Sequence, residues 1–282
     1  NRENIAMLVS AIRKKELFME VIDCIESVVS NMSDEEKGML KVILEYGKKA
    51  EKEAGSILNS QQELSSYGKS VTPKWVAEQI DFAFQQGMGI VDVISGKYGD
   101  YGKILDVTIK EVLVKALHIS KPIFSADSKT YEGAIQREGW ITENLLNSMI
   151  TNMGEDERKA FSKQVEQLLR AKGISAGKAA QAGAAIFQSG LTAAKAIMGF
   201  NFHILVAQVA NLVVKAIAGH GLSFAANAAM QHWVKILFGA TFGWIFTAIL
   251  ALPLLTSLIN PREYDKLVPA VFIIGVSRLS KE

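Results

Sequence analysis

This sequence is poor in cysteine, and one long stretch of it lacks acidic residues. It has one cysteine, and residues 179–261 contain no Asp or Glu at all. The single Cys24 excludes an intrachain disulfide and most thiolate metal sites, and its apolar neighbours predict a buried structural thiol. The chain that remains is 49% hydrophobic and only 21% charged. It is therefore more apolar than is usual for a soluble protein.

Catalytic motifs are missing as well. The sequence contains neither an HExxH zinc motif nor a GxSxG nucleophile motif. Gly68-Lys69-Ser70 resembles the end of a phosphate-binding loop, but Glu63 occupies the upstream position that should be glycine. The four histidines have no carboxylate or cysteine partners at metal-ligand spacing. The sequence therefore predicts no enzyme, no metal site and no cofactor.

Charge is divided unevenly along the chain. Residues 1–166 hold 21 Lys or Arg against 26 Asp or Glu, whereas residues 167–262 hold seven basic residues and no acid. Dispersed cations on apolar helices fit an anionic lipid surface. Nucleic-acid binding would need clustered Arg and Lys with interleaved aromatic residues, which the sequence lacks. We expect an anionic lipid bilayer as a partner, with a protein partner or self-association as alternatives, and no nucleic acid.

Apolar residues recur at helical spacing along most of the chain, and turn signals bound no segment as a strand. Ser33 and Glu36 match a capping box, and Thr72-Pro73 is typical of a helix start. The sequence therefore predicts an all-α multi-helix bundle with a long hydrophobic, Gly/Ala-rich helical block near the C-terminus. We expect three regions: amphipathic helices in 1–58, a central helical bundle in 72–172, and a hydrophobic membrane-active or core block in 173–282.

Polar stretches and glycines predict where helices are interrupted. Residues 59–71 and 120–130 are polar and predict loops. Helices are predicted over 131–150 and 155–170, and Gly173 would end the second of them. The apolar segment 267–277 is too short to cross a bilayer, so we expect it to pack against the other helices.

The hydrophobic block repeats a short pattern every twenty residues. Lys195, Lys215 and Lys235 each begin an apolar triplet. At about 1.5 Å per helical residue, twenty residues cover about 30 Å, the hydrocarbon thickness of a bilayer. In one continuous helix, successive lysines would lie about 200° apart and form no basic stripe. If the chain instead reverses near Gly219–Gly221, the lysines stand at the ends of bilayer-length rods. The rods 196–214 and 216–234 carry polar residues and are weak spans, which require those residues to face each other or water.

Residues 236–259 are the strongest candidate for a membrane span, because they contain no charged residue and exceed the roughly 20 residues that a bilayer requires. Within this span, GxxxG spacing can seat a partner helix, and a proline would kink the segment. The residues that we expect to insert into the membrane or to pack its helices are Lys195, Lys215, Lys235, Trp233, Gly239, Gly243, Trp244, Pro253 and Arg262.

Three histidines lie in the acid-free block. Protonation of His203, His220 and His232 would add up to three positive charges there. Because added charge changes the free energy of insertion, these residues predict a pH-sensing role alongside the simpler role of polar residues satisfied within a bundle.

Three segments resemble the uncharacterised bacterial YaaW-like family, which is labelled by similarity to ubiquinol–cytochrome c chaperones. They are residues 168–175 (LLRAKGIS), 219–222 (GHGL) and 268–279 (VPAVFIIGVSRL). The resemblance implies a chaperone-like role and brings no catalytic residues, and residues 260–266 (NPREYDK) depart from the family pattern. In layout alone, amphipathic helices followed by a long hydrophobic block are similar to α-helical pore-forming bacteriocin domains and related toxins.

Two functions from different classes follow. The first is a membrane-interacting α-helical protein that inserts a hydrophobic helical hairpin to perturb or permeabilise a bilayer. The alternative is a soluble all-α chaperone-like or protein-interaction module in which 236–259 is the buried central helix, since a helix surrounded by others is apolar on all sides. No secretory signal is visible in the given chain, so we expect membrane association with a cytoplasmic location before insertion or delivery.

Overall fold

The computed structural model describes residues 21–47, 60–85, 100–115, 118–151, 153–217 and 264–281, together with Ala54 and Ile57. The regular structure of this part of the chain consists of helices without a strand, which confirms the predicted all-α bundle. The α-helices are α1 Val21–Asn31, α2 Asp34–Tyr46, α3 Gln61–Gly68, α4 Pro73–Gln85, α5 Tyr101–Thr108, α6 Tyr131–Thr151, α7 Glu155–Ala171, α8 Ala176–Ser189, α9 Leu191–Met198, α10 Phe202–Ile217 and α11 Tyr264–Leu279.

Several helices begin where their sequence signals predict. At the start of α2, the Ser33 hydroxyl accepts from the Glu36 N–H at 3.2 Å, and the Glu36 carboxylate accepts from the Ser33 N–H at 2.8 Å. This reciprocal pair confirms the capping box. The Thr72 hydroxyl accepts from the Trp75 N–H at 3.2 Å, which confirms the predicted start of α4.

Other expectations at helix boundaries are also confirmed. Gly173, with φ of +82°, follows the end of α7 in the left-handed conformation that glycine adopts without a steric penalty. The polar stretch 120–130 contains no helix. The helix that begins at Tyr101 continues beyond α5 as a π-helical segment, Ile109–Val114.

The prediction of a loop over 59–71 is wrong, because Gln61–Gly68 forms helix α3. Its first turn is capped by Ser60, whose hydroxyl accepts from the Glu63 N–H at 3.2 Å. The polar sequence of α3 has little helical periodicity of its own, and its position depends on close packing against α2. A Cβ added at Gly38 would lie 2.0 Å from the Leu64 carbonyl oxygen, and one at Gly68 would lie 1.8 Å from the Asp34 carbonyl oxygen. The two helices therefore touch backbone to backbone.

Among the described helices, the C-terminal helix α11 holds the central position. Helices α1, α2, α4, α6 and α10 all pack against it. Every residue from Leu267 to Ser277 is buried, and the helix is apolar on all sides, as such a position requires. The prediction that 267–277 packs against the other helices is confirmed.

Two glycines break the chain between α8 and α10. Gly190 has φ of +85° and Gly199 has φ of +53°, and a short 3₁₀ turn, Gly199–Asn201, separates α9 from α10. The Asn147 Oδ1 of α6 accepts from the Thr192 N–H at 3.1 Å, so α6 caps the start of α9. The predicted rod 196–214 is therefore interrupted near its start, at Gly199–Asn201.

Candidate functional site

Lys195, in the acid-free part of the chain, has its acidic partner on another helix. Lys195 Nζ, at the end of α9, lies 3.1 Å from Glu143 Oε1 of α6. The same ammonium lies 4.9 Å from the centre of the Phe202 ring. Arg170 pairs with Glu166 within α7. Lys195 therefore contacts the bundle at a helix junction, whereas the sequence placed it at the end of a bilayer-length rod.

Of the other predicted site residues, only Lys215 and His203 lie in the part of the chain that the structure describes. Lys215 lies in the last turn of α10. His203 is exposed, its Nδ1 lies 2.9 Å from the Phe200 carbonyl oxygen, and its ring meets the Phe200 ring edge-on at 5.8 Å. The remaining predicted site residues lie outside the described residues: His220, His232, Trp233, Lys235, Gly239, Gly243, Trp244, Pro253 and Arg262.

One described stretch, Leu191–Val214, is long and apolar enough to cross a membrane by length and composition. Its mean hydropathy over the most apolar window is 1.7, and half of that window is buried within the bundle. The stretch reaches this length only when α9 and α10 are counted as one helix. Because the chain turns at Gly199, α10 alone is 16 residues long, below the roughly 20 that a span needs. The core helix of a bundle passes the same test of length and composition.

The junction of α9 and α10 nevertheless exposes apolar surface. Phe200 is 92% exposed. Ala196 and Gly199 beside it are exposed, and Ile204, one turn further along α10, is half-buried. A single exposed aromatic ring is common on soluble proteins, but this one lies in the part of the chain that has no acidic residue.

A buried charged cluster joins the end of α11 to three other segments. Arg278 Nε lies 2.6 Å from Glu138 Oε1, and the two side chains are 11% and 1% exposed. The Tyr101 hydroxyl donates to Glu138 Oε2 at 2.8 Å. Arg278 Nη2 donates to the Cys24 carbonyl oxygen at 2.7 Å, and Nη1 donates to the Tyr131 hydroxyl at 3.3 Å. Arg278 thus ties α11 to α1 and α6, and Glu138 extends the network to α5.

The pKa values of Tyr101, Arg278 and Cys24 are raised in this cluster. Burial, followed by the Glu138 charge and hydrogen bond, raises the pKa of Tyr101 well above its ordinary value. Burial lowers the pKa of Arg278, but the hydrogen bond and charge of Glu138 outweigh that effect, so its pKa is raised overall. Burial raises the pKa of the Cys24 thiol to about 12. The cluster is therefore suited to fixing helices in place rather than to proton transfer near neutral pH.

Two further contacts seat α11. The Ser277 hydroxyl donates to Glu36 Oε1 at 2.6 Å, so the capping box of α2 also binds the central helix. A Cβ added at Gly275 would lie 1.9 Å from the Thr142 Oγ1 of α6. Glycine is required there because the α11 backbone approaches the Thr142 side chain too closely for any larger residue.

Sequence reasoning missed this cluster, since its members lie far apart in the chain. Glu138 and Arg278 are 140 residues apart, and Glu36 and Ser277 are 241 apart. One signal was available: Arg278 is the first charged residue after the apolar run 267–277. A charged residue at the end of a buried apolar helix needs a partner of opposite charge, but the sequence does not show which acidic residue is that partner.

An open cleft of about 490 Å³ lies between α2 and α3. None of its lining residues is buried, so it holds no desolvated reactive group. No cluster of three or more His, Cys, Asp or Glu that could hold a metal ion occurs within the described residues. The residues that line the cleft are Glu35, Gln61, Gln62, Ser65, Ser66 and Lys69.

Comparisons with protein-family models, with curated proteins and with solved structures found no match to this chain. The resemblances to the YaaW-like family and to pore-forming domains therefore stay predictions.

Proposed function

We propose that this protein binds lipid bilayers and inserts an apolar segment from residues 218–263, which perturbs or permeabilises the membrane. One observation in the sequence supports the proposal: 236–259 is the longest run of the chain without a charged residue. The alternative function makes the same run the buried central helix, which its composition would also suit. Among the described helices, however, the central position is held by Tyr264–Leu279.

The length and composition of this run support a lipid-facing role. Residues 236–259 contain no charged side chain and are bracketed by Lys235 and Arg262. A helix of this length spans the hydrocarbon core, and flanking cations reach the headgroups on either side. The preceding residues 216–234 supply a second segment of similar length, so a hairpin is the insertion geometry that the sequence favours.

Charge supports an anionic membrane. Residues 167–262 have no acidic side chain. Three of its basic residues, Arg170, Lys172 and Lys195, are exposed to solvent. Each basic residue near an anionic surface contributes about 1 kcal/mol of attraction. We therefore expect vesicles with anionic lipid to bind the protein more tightly than zwitterionic vesicles do.

The test is vesicle co-sedimentation and dye release with Ile249→Lys. A lysine at the middle of a span costs about 2.5–3.5 kcal/mol of insertion free energy, so dye release should fall by about 100-fold. Gly243→Leu should lower dye release with little effect on binding, because it blocks close approach of a partner helix.

The matched control is Ile123→Lys, which makes the same chemical change at a side chain that is 99% exposed. It should leave binding and dye release unchanged. If Ile249→Lys releases dye as the wild type does, the proposed insertion is refuted. A monodisperse, detergent-free protein that binds no vesicles between pH 5 and 8 would favour the soluble chaperone-like or interaction module instead.

A further inference from the structure

The corner between α9 and α10 holds one aromatic ring out in solvent. Phe200 is 92% exposed, although nearby residues on both sides of it in the chain are anchored: Met198 has zero exposure and Phe202 is 9% exposed. We infer that Phe200 is a contact that the folded bundle makes with an anionic bilayer, with its ring at the boundary between headgroups and acyl chains. This inference rests on the proposed function and adds to it a contact site among the described residues.

A glycine turn and local contacts fix the position of this ring. Gly199 has φ of +53°, and the 3₁₀ turn Gly199–Asn201 carries Phe200 at its middle position. His203 Nδ1 lies 2.9 Å from the Phe200 carbonyl oxygen, and the two rings meet edge-on at 5.8 Å. Because this arrangement exists in the free protein, contact with lipid orders few additional groups, which favours binding.

The surface around Phe200 is apolar and low. Ala196 and Gly199 are exposed, and Ile197 and Ile204 are half-buried. A Cβ added at Gly199 would have no atom within 4 Å, so the backbone beside the ring is open. A protruding phenylalanine with small apolar neighbours suits the bilayer interface, where the apolar side chains of surface-bound helices enter the boundary between headgroups and acyl chains.

The charges near the corner favour an anionic lipid surface. Residues 189–217 contain two charged side chains, Lys195 and Lys215, and no acid. Glu143 of α6 approaches the corner, but it pairs with Lys195 at 3.1 Å, so its charge is offset. Anionic headgroups therefore meet no acid of this segment and are attracted by its cations. A second copy of the chain would bring the same cations to the interface, and like charges oppose association.

The experiment is co-sedimentation of the full chain with vesicles of phosphatidylglycerol and phosphatidylcholine. Phe200→Ser should weaken binding about tenfold, because the ring no longer leaves water on binding, and the factor should be the same at low and high salt, because salt screens only the charges. The control Ile123→Ser removes a side chain that is 99% exposed and should bind as the wild type does. Circular dichroism should show both variants folded, since neither side chain belongs to the core.

Each outcome of the binding assay decides one of the two proposals. Equal affinities of Phe200→Ser and the wild type would overturn the inference and leave the proposed function standing. The same loss of affinity in Ile123→Ser would also overturn it, because the effect would not belong to this corner. Absence of binding by the wild type would refute the proposed function, and the inference with it.

A fluorescent label at the same position reports the contact directly. In a Cys24→Ala chain, Phe200→Cys carries a polarity-sensitive fluorophore, and Ile123→Cys carries it in the control. Emission should move to shorter wavelength on addition of the vesicles at position 200 and stay unchanged at position 123. An unchanged spectrum at position 200 while the protein sediments with vesicles would overturn the inference. Sedimentation velocity without vesicles should show a monomer, and a wild-type dimer that Phe200→Ser dissociates would assign the ring to self-association and overturn the inference as well.

Discussion

Removal of the Arg278 side chain should destabilise the bundle more than removal of any exposed charge. Arg278→Met keeps much of the aliphatic stem but leaves Glu138, 1% exposed, with only the Tyr101 hydroxyl as a hydrogen-bond donor. Leaving one member of a buried ion pair unpaired costs about 3–5 kcal/mol. The variant also leaves the Cys24 carbonyl oxygen without the donor that it has now.

A double-mutant cycle with Glu138 separates the energy of the ion pair from the energy of side-chain packing. Glu138→Gln keeps an acceptor for Tyr101 and removes the charge, at a cost of about 2 kcal/mol. In the double variant no charge remains unpaired, so its cost should be about 1–3 kcal/mol, well below the sum of the two single changes. The coupling energy between the two positions should therefore be at least about 2 kcal/mol.

Urea unfolding followed by circular dichroism measures these differences, provided that the slope with denaturant stays constant among the variants. Lys195→Met is the matched control, because it removes a cation whose side chain is 57% exposed and pairs with Glu143 at the surface. It should change stability by no more than about 1 kcal/mol. Additive effects of Arg278→Met and Glu138→Gln, or a cost of Arg278→Met equal to that of the control, would refute the account of α11 as a helix fixed by a buried ion pair.

Two further predictions concern packing and pH. Gly68→Ala should destabilise the protein by about 1–3 kcal/mol, because the new Cβ would meet the α2 backbone. Gly139→Ala, with no atom within 4 Å of the new Cβ, should instead stabilise α6 by about 0.5–1 kcal/mol. Equal effects of the two variants in thermal unfolding would contradict this prediction. Burial raises the pKa of Asp100 above its usual range, although its carboxylate caps α5 through the Lys103 N–H. The folded state therefore binds the Asp100 proton more tightly than the unfolded state does. The contribution of Asp100 to stability falls as the pH rises from its ordinary pKa of 3.8 through its raised pKa in the folded state. Asp100→Asn, which can keep the cap, should stabilise the protein at pH 7, and this gain should disappear below about pH 4; a gain that does not depend on pH would contradict the assignment.

Local sequence patterns predicted the helices well where the signal is carried by neighbouring residues. The capping box at Ser33, the start at Thr72 and the stop at Gly173 each depend on groups within a few residues of one another. The loop prediction for 59–71 failed because α3 is stabilised by a close approach to α2, which its own polar sequence does not indicate. The interruption of the rod 196–214 was not predicted, because Gly199 adopts a positive φ that helical periodicity does not reveal.

The sequence alone determined that this protein is helical, that its charge is segregated, and that one long run, 236–259, has no charge to keep it in water. Those properties depend on composition and on spacing within a helix turn. Only the tertiary structure decided that a short apolar segment lies at the centre of the described helices, because hydropathy alone does not distinguish a helix buried by protein from one suited to lipid. The short segment 267–277 holds that place, and Arg278 pairs there with Glu138, an acid 140 residues away in the chain.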